Sequence, residues 1–178
     1  MILTFRYTAL RIGDVSGLAR DRISRDGDKW RIFLRTEKSG QPVFLPVPPD
    51  LKVALDRVPP PVSNIDSRFF FWNDTGKFET HKGHMHRVLQ RIFQLSGVKN
   101  AHPHRFRHTL ATELLGRGAS YEEVADILGN SPAIVRKHYG KWSAARQSRI
   151  DDLMERVYIG TDQAALVKDA ALVKERVQ

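Results

Sequence analysis

Between Ile2 and Leu10 apolar residues fall on almost every side of a helical wheel, which predicts a buried helix. Gly13 to Leu18 continues in helical register after the Arg11-Ile12 step. The pattern then changes period. Trp30-Arg31-Ile32-Phe33-Leu34-Arg35 alternates as a strand does, Val43-Phe44-Leu45 is a second apolar run, and Ser39-Gly40 supplies turn chemistry between them. These segments predict a β-hairpin with Lys38 near its tip. Pro48, Pro49 and Asp50 open a short helix that runs to about Val58 and is stopped by Pro59-Pro60-Pro61. Phe69-Phe70-Phe71-Trp72 reads as a further short strand, and Asn73 to Gly76 as a turn.

Helical spacing dominates the remainder. Helices are predicted over His84 to Ser96, Pro103 to Gly116, Ser120 to Leu128, Pro132 to Tyr139 and Ser143 to Val157. Ser120 with Glu123 makes a capping box, and Ser131-Pro132 places an N-cap before a proline at the first helical position. The fold class that follows is α+β and mostly α-helical, with a small antiparallel β-sheet at one edge. One domain spanning residues 1–158, the catalytic domain in the reading reached below, and a helical tail over 159–178 complete the division. In the tail, Leu166, Ala170, Val173 and Val177 fall on one narrow stripe, which either docks on this chain or a neighbour or belongs to a frayed end.

A chain of 178 residues is long enough to bury roughly two-thirds of its unfolded surface in one core. With 29 Lys plus Arg against 20 Asp plus Glu, the net charge is +9, which calls for a polyanionic partner, nucleic acid first. The charge is unevenly spread: residues 1–80 carry +3, residues 81–149 carry +8 and residues 150–178 carry −2, and all seven histidines lie in the middle segment. Phosphate contacts are therefore expected there. The absence of cysteine removes disulfides, thiolate metal sites and cysteine nucleophiles, and a reducing cytoplasm suits the composition. No run reads as a signal peptide or a membrane span.

Four short segments carry the candidate chemistry: Ala9-Leu10-Arg11-Ile12-Gly13-Asp14, Glu37-Lys38-Ser39-Gly40, His104-Arg105-Phe106-Arg107-His108-Thr109, and Leu128-Gly129-Asn130 with Tyr139 nine residues beyond. On a helix His104, Arg107 and His108 share one face, while Phe106, Leu110 and Leu114 take the core face. In this order and spacing the four segments resemble the tyrosine recombinases, or phage integrase family, over about Ile2 to Arg156. That resemblance implies a transesterification at a DNA phosphodiester in which a tyrosine attacks phosphorus, forms a 3′-phosphotyrosine link and releases a 5′-hydroxyl.

The resemblance also assigns roles. Arg11 and Arg107 match the family's two arginines, whose planar forks hold phosphate oxygens, and His104 matches its base or hydrogen-bonding partner. Lys38 matches the lysine that protonates the leaving oxygen, and Tyr139 the nucleophile. Asp14 matches the acidic residue that orients site groups, and His108 follows the second arginine in a structural or phosphate-binding place. Asn130 departs from the family, which more often has histidine there. An amide donates to a phosphate oxygen but does not shuttle a proton as imidazole does. Arg105, Arg136, Lys137 and Lys141 are candidate DNA contacts. The partners implied are double-stranded DNA and other copies of the chain in a synaptic complex on the nucleoid, with neither metal nor cofactor. The family's N-terminal helical clamp and its first catalytic-domain helix would precede the segment that begins here at Met1. That placement leaves apolar surface exposed around Ile2, Leu3 and Phe5.

Two other readings stand beside this one. Tyr121 to Gly129 followed by Ser131 to His138 has the outline of a helix-turn-helix, so the chain reads alternatively as a DNA-binding module without catalysis; an inactive or truncated recombinase remnant is the other. His81-Lys82-Gly83-His84-Met85-His86 has metal-ligand-like spacing. A closed zinc site needs four ligands, and no acidic residue follows until Glu113, so a basic helix start near DNA is the better reading.

Overall fold

The structure, a computed structural model, describes residues 1–140 and 144–160. It begins with α1 (Ile2–Thr8) and α2 (Ile12–Ser16), followed by a single 3-10 turn at Arg20–Arg22. A meander of β1 (Ile23–Asp26), β2 (Lys29–Arg35) and β3 (Pro42–Val47) comes next, and the helices α3 (Pro49–Asp56), α4 (Phe78–Ser96), α5 (Pro103–Gly116), α6 (Tyr121–Leu128), α7 (Pro132–Tyr139) and α8 (Ala144–Gly160) complete the fold. The α+β, mainly helical class is as expected, with the sheet antiparallel in the order β1-β2-β3. Among the described residues no helix is long and apolar enough to cross a membrane.

The hairpin forms for the reason its alternation predicts. Ile32 pairs with Leu45 and Leu34 with Val43, and all four side chains are buried under the sheet. Phe33 and Phe44 pair on the opposite, exposed face with ring centroids 6.3 Å apart. Pro42 and Pro46 lie in β3, an edge strand, where a missing N–H costs the ladder little. β1 had no sequence signal, because Ile23-Ser24-Arg25-Asp26 is polar and only Ile23 is even partly covered. Its pairing comes from β2 across the Gly27 turn.

Three further expectations are corrected. α1 is not buried all round: Thr4, Phe5 and Thr8 face the interior, whereas Leu3 and Tyr7 are exposed and Arg6 pairs with Glu113 at 3.3 Å. Of the apolar residues expected at the surface there, Phe5 is fully buried and stacks on Phe106 at 5.9 Å. Phe69 to Trp72 makes no strand, since Phe69 forms only an isolated bridge to Ala19 and the aromatic rings pack inward or on one another. α4 starts six residues early, at Phe78, because Phe78 and His81 stack with Trp72 and hold the first turns down.

Two apolar clusters make the core. The larger joins α1 to α4 and the sheet through Phe5, Leu18, Ile32, Leu51, Leu55 and Leu89; the smaller joins α5, α6 and α7 through Ala111, Val124, Leu128 and Val135. They meet at consecutive residues. Ala9, left-handed at φ 51°, turns the chain so that its own methyl enters the smaller cluster while Leu10 enters the larger. Arg11 follows at once, at the seam.

Candidate active site

Beside Leu10 and Ile12 lies a cavity of 340 Å³ lined by Arg11, Lys38, His86, His102, His104 and Arg107. Four of these were expected from the sequence, and they arrive from three separate elements. Arg11 is the N-terminal flank of α2, Lys38 sits in the β2–β3 turn, and His104 and Arg107 lie on the first turns of α5.

Arg107 is almost wholly buried, so the face of α5 that carries it is a packed one, continued by the fully buried Ala111. Its guanidinium donates to the carbonyl oxygens of Ala9, at 3.0 Å, and Leu128, tying the end of α1 to the end of α6. Burial lowers its pKa to about 10, leaving it cationic at neutrality. The backbone thereby fixes a permanent charge in a dry place. Arg11 is half-buried and donates from Nη2 to Asn130 Oδ1 at 2.6 Å, while its Nη1 is buried without a hydrogen-bond partner among the described residues. An uncompensated guanidinium N–H beside a second fixed guanidinium is a seat for an anionic oxygen.

Asp14 works on the opposite side of the same turn. Its carboxylate accepts from the Glu37 N–H at 2.7 Å and the Arg11 N–H at 3.3 Å, tying the hairpin to the start of α2. Burial pushes its pKa up, against the pull of those two N–H groups and the Arg11 charge. Lys82 extends the tie by bonding Glu37 at 3.0 Å and Glu79 at 2.8 Å. This accounts for Lys82 in the histidine-rich segment, and His81 is held by Trp72 at 5.8 Å between ring centroids.

Three rings form a row from His104 in the cavity wall to Tyr139 against the smaller cluster. His104 and His108 meet edge to face at 4.7 Å, and His108 meets Tyr139 at 5.4 Å. Partial burial, then the charges of His108, Arg107, His102 and Arg11, lowers the His104 pKa to about 4; burial chiefly, then His102, His138 and Arg107, also lowers that of His108. Both imidazoles are therefore neutral at pH 7. The Tyr139 phenol is raised by its own partial burial, with Arg107 and Arg11 opposing. Deprotonation of Tyr139 needs a neighbouring acceptor, and two neutral imidazoles are in line.

The expected surface cations are more scattered. Arg105 donates to the Lys99 carbonyl at 2.5 Å and lines an apolar groove with Phe93 and Val98 instead of the cavity. Arg136 lies over the Tyr121 ring at 5.3 Å, Lys137 is exposed, and Lys141 falls outside the described residues, as do tail residues 161–178. Sequence reasoning missed His86 and His102 in the cavity wall. Their only signal was membership of a histidine-rich segment, which does not say which way a side chain faces.

The Phage integrase family pattern matches residues 1–145. The chain belongs to the phage integrase family. Among curated relatives, tyrosine recombinase XerC of Oceanobacillus iheyensis is 38% identical over 69 residues, which is 38% of this chain and 22% of that protein. This match spans less than a quarter of the relative's length. Two solved recombinases share the fold: XerH bound to its difH substrate superposes with a TM-score of 0.64 at 17% identity, covering 86% of this chain and 45% of that one. XerA gives 0.61 at 19% identity over 84% and 55%. This phage integrase domain accordingly has the tyrosine recombinase catalytic-domain architecture, a helical body with a three-stranded antiparallel sheet at its edge.

Proposed function

We propose that this chain is the catalytic domain of a site-specific recombinase that cleaves and rejoins duplex DNA through a 3′-phosphotyrosine intermediate. The observation that carries the reading is the convergence of Arg11, Lys38, His104 and Arg107 on one cavity, with an unpartnered buried N–H on Arg11.

In this mechanism the scissile phosphate enters the cavity and its non-bridging oxygens take Arg11 Nη1 and the free edge of Arg107. The Tyr139 oxygen attacks phosphorus; its proton passes to the neutral His108–His104 pair, and the bond from phosphorus to the 5′ oxygen breaks. Lys38 protonates that departing oxygen. Phosphoester bond energy is kept in the new tyrosyl ester, so the reverse attack by a 5′-hydroxyl rejoins DNA without a nucleotide cofactor. Asn130 serves by its amide, holding Arg11. The +8 of residues 81–149 supplies the long-range attraction to DNA, with Arg105, Arg136, Lys137 and Lys141 as outlying phosphate contacts. Exchange of strands requires several copies assembled on DNA at the nucleoid, with residues 1–158 as the catalytic unit and 159–178 as the tail between copies.

The test is capture of a covalent protein–DNA adduct on nicked suicide duplexes drawn from the DNA flanking its own coding region, resolved on a denaturing gel. The wild-type chain should give an adduct that Tyr139→Phe and Arg107→Ala both lose. Salt-sensitive binding with no adduct would instead identify a DNA-binding remnant.

A further inference from the structure

In the turn between the strands of the hairpin, Lys38 is flanked by three residues that are each tied to the body of the fold or to one another. Thr36 is buried, the Glu37 N–H is held by Asp14 at 2.7 Å, and the Ser39 hydroxyl donates to the Gly129 carbonyl at 3.2 Å. Thr36 Oγ1 and Ser39 Oγ are 2.8 Å apart. Each hydroxyl has one proton, and that of Ser39 is committed to Gly129. Thr36 must therefore donate to Ser39, giving a one-way relay from Thr36 through Ser39 to Gly129.

The far end of this relay is itself shaped for contact. Gly129 is buried at φ +58°, and a Cβ there would stand 2.8 Å from the Cγ2 atoms of both Thr36 and Val43. Only a residue without a side chain lets α6 end this close to the hairpin. The next residue is Asn130, which holds Arg11. The hairpin tip and the arginine-holding segment are thus joined by a hydroxyl bond and by a glycine-sized gap.

We propose that Ser39 is a positioning residue: its hydroxyl latches the Lys38 turn onto Gly129 and so sets the Lys38 ammonium against the leaving 5′ oxygen. The inference rests on the recombinase reading above. Ser39 touches no reacting atom and acts through Lys38. Without the latch the turn keeps Asp14 and its own backbone bond from the Gly40 N–H to the Thr36 carbonyl but loses its hydrogen bond to the end of α6, so the lysine samples positions outside the cavity.

Ser39→Ala separates this from a general structural role when cleavage is run on two duplexes, one with the natural 5′ oxygen and one with a bridging 5′ sulfur at the same bond. A thiolate leaves without protonation, so a fault confined to the proton donor disappears on the sulfur duplex. The expected result is a loss of roughly tenfold or more with oxygen and less than about twofold with sulfur, with Ser39→Thr restoring the oxygen rate. Equal losses on both duplexes, or no loss on either, overturn the proposal. A second readout does not need catalysis: trypsin cleavage after Lys38, followed by mass spectrometry, should be several-fold faster in Ser39→Ala than in the wild type. If the wild-type chain forms no adduct on either duplex, the recombinase reading fails and trypsin alone decides the latch, an unchanged rate overturning it.

Discussion

Arg11 and Asn130 are 119 positions apart in the chain and 2.6 Å apart in space, the guanidinium donating to the amide oxygen. The bond uses one edge of Arg11 and leaves Nη1 for a ligand. A histidine in place of Asn130 would be cationic or neutral with pH, whereas an amide accepts from the arginine at every pH. Asn130→Ala should therefore slow adduct formation about 10- to 100-fold, the worth of a charge-assisted hydrogen bond of about 1.5–3 kcal/mol. Asn130→Asp keeps the acceptor but places a negative charge beside the incoming phosphate, and should lose more. Single-turnover capture rates decide this; an Asn130→Ala variant as fast as the wild type would show that Arg11 needs no holder.

Arg107 ties the end of α1 to the end of α6 through the Ala9 and Leu128 carbonyls, so its replacement should cost stability as well as chemistry. Lysine cannot reach both oxygens with a planar fork. One buried acceptor left bare costs about 1–3 kcal/mol, which lowers Tm by roughly 2–10 °C in a domain of this size. Differential scanning calorimetry of Arg107→Lys checks it. An unshifted Tm would mean that the two carbonyls find other donors.

His104 should titrate near about 4 in the free protein, well below its ordinary 6.5, because partial burial and the charges around it disfavour the imidazolium. The sign follows. The unfolded chain binds more protons than the folded one between those two values, so this group costs nothing above 6.5, weakens folding as pH falls through that window and levels off below about 4. Histidine proton NMR gives the inflection directly, and His108→Asn should move it upward by removing a neighbouring positive charge. An inflection at the ordinary value in the wild type would remove the case for His104 as a neutral acceptor.

Gly129→Ala meets two obstacles at once, a left-handed backbone and methyl groups on Thr36 and Val43. The expected loss is about 1–3 kcal/mol. Because the strain falls between α6 and the hairpin, amide exchange should rise at residues 36–43 more than in α3, which shares their cluster but packs on α1. Uniform acceleration throughout the chain would count against a local coupling.

The elements with their own stop and start chemistry were legible before any coordinates. Ser120 and Glu123 do cap α6 reciprocally, Ser131 caps α7 at the Ile134 N–H, and the alternation in β2 and β3 gives the observed register. β1 and the first turns of α4 were not, since β1 owes its pairing to β2 and the start of α4 to the Trp72 ring. Arg11, Lys38, His104 and Arg107 were nameable through the family resemblance of the three short segments that hold them, and the cavity unites them. The placement of His86, His102, Thr36 and Ser39 was not legible, because nothing in their local sequence distinguishes a side chain turned toward the cavity or the Gly129 segment from one turned to solvent.

The sequence by itself determined the candidate residues, the net charge of +9 and the local elements, because capping, turn chemistry and periodicity act over fewer than ten residues. Only the tertiary structure decided their arrangement: that Arg107 is buried and held by two carbonyls, that Arg11 keeps one N–H free, that His104 is neutral, and that the Lys38 turn is fastened to Gly129. The Arg107, Arg11 and Lys38-turn contacts depend on partners about 20 to 120 positions away, and the His104 shift on the partial burial and neighbouring charges that packing imposes.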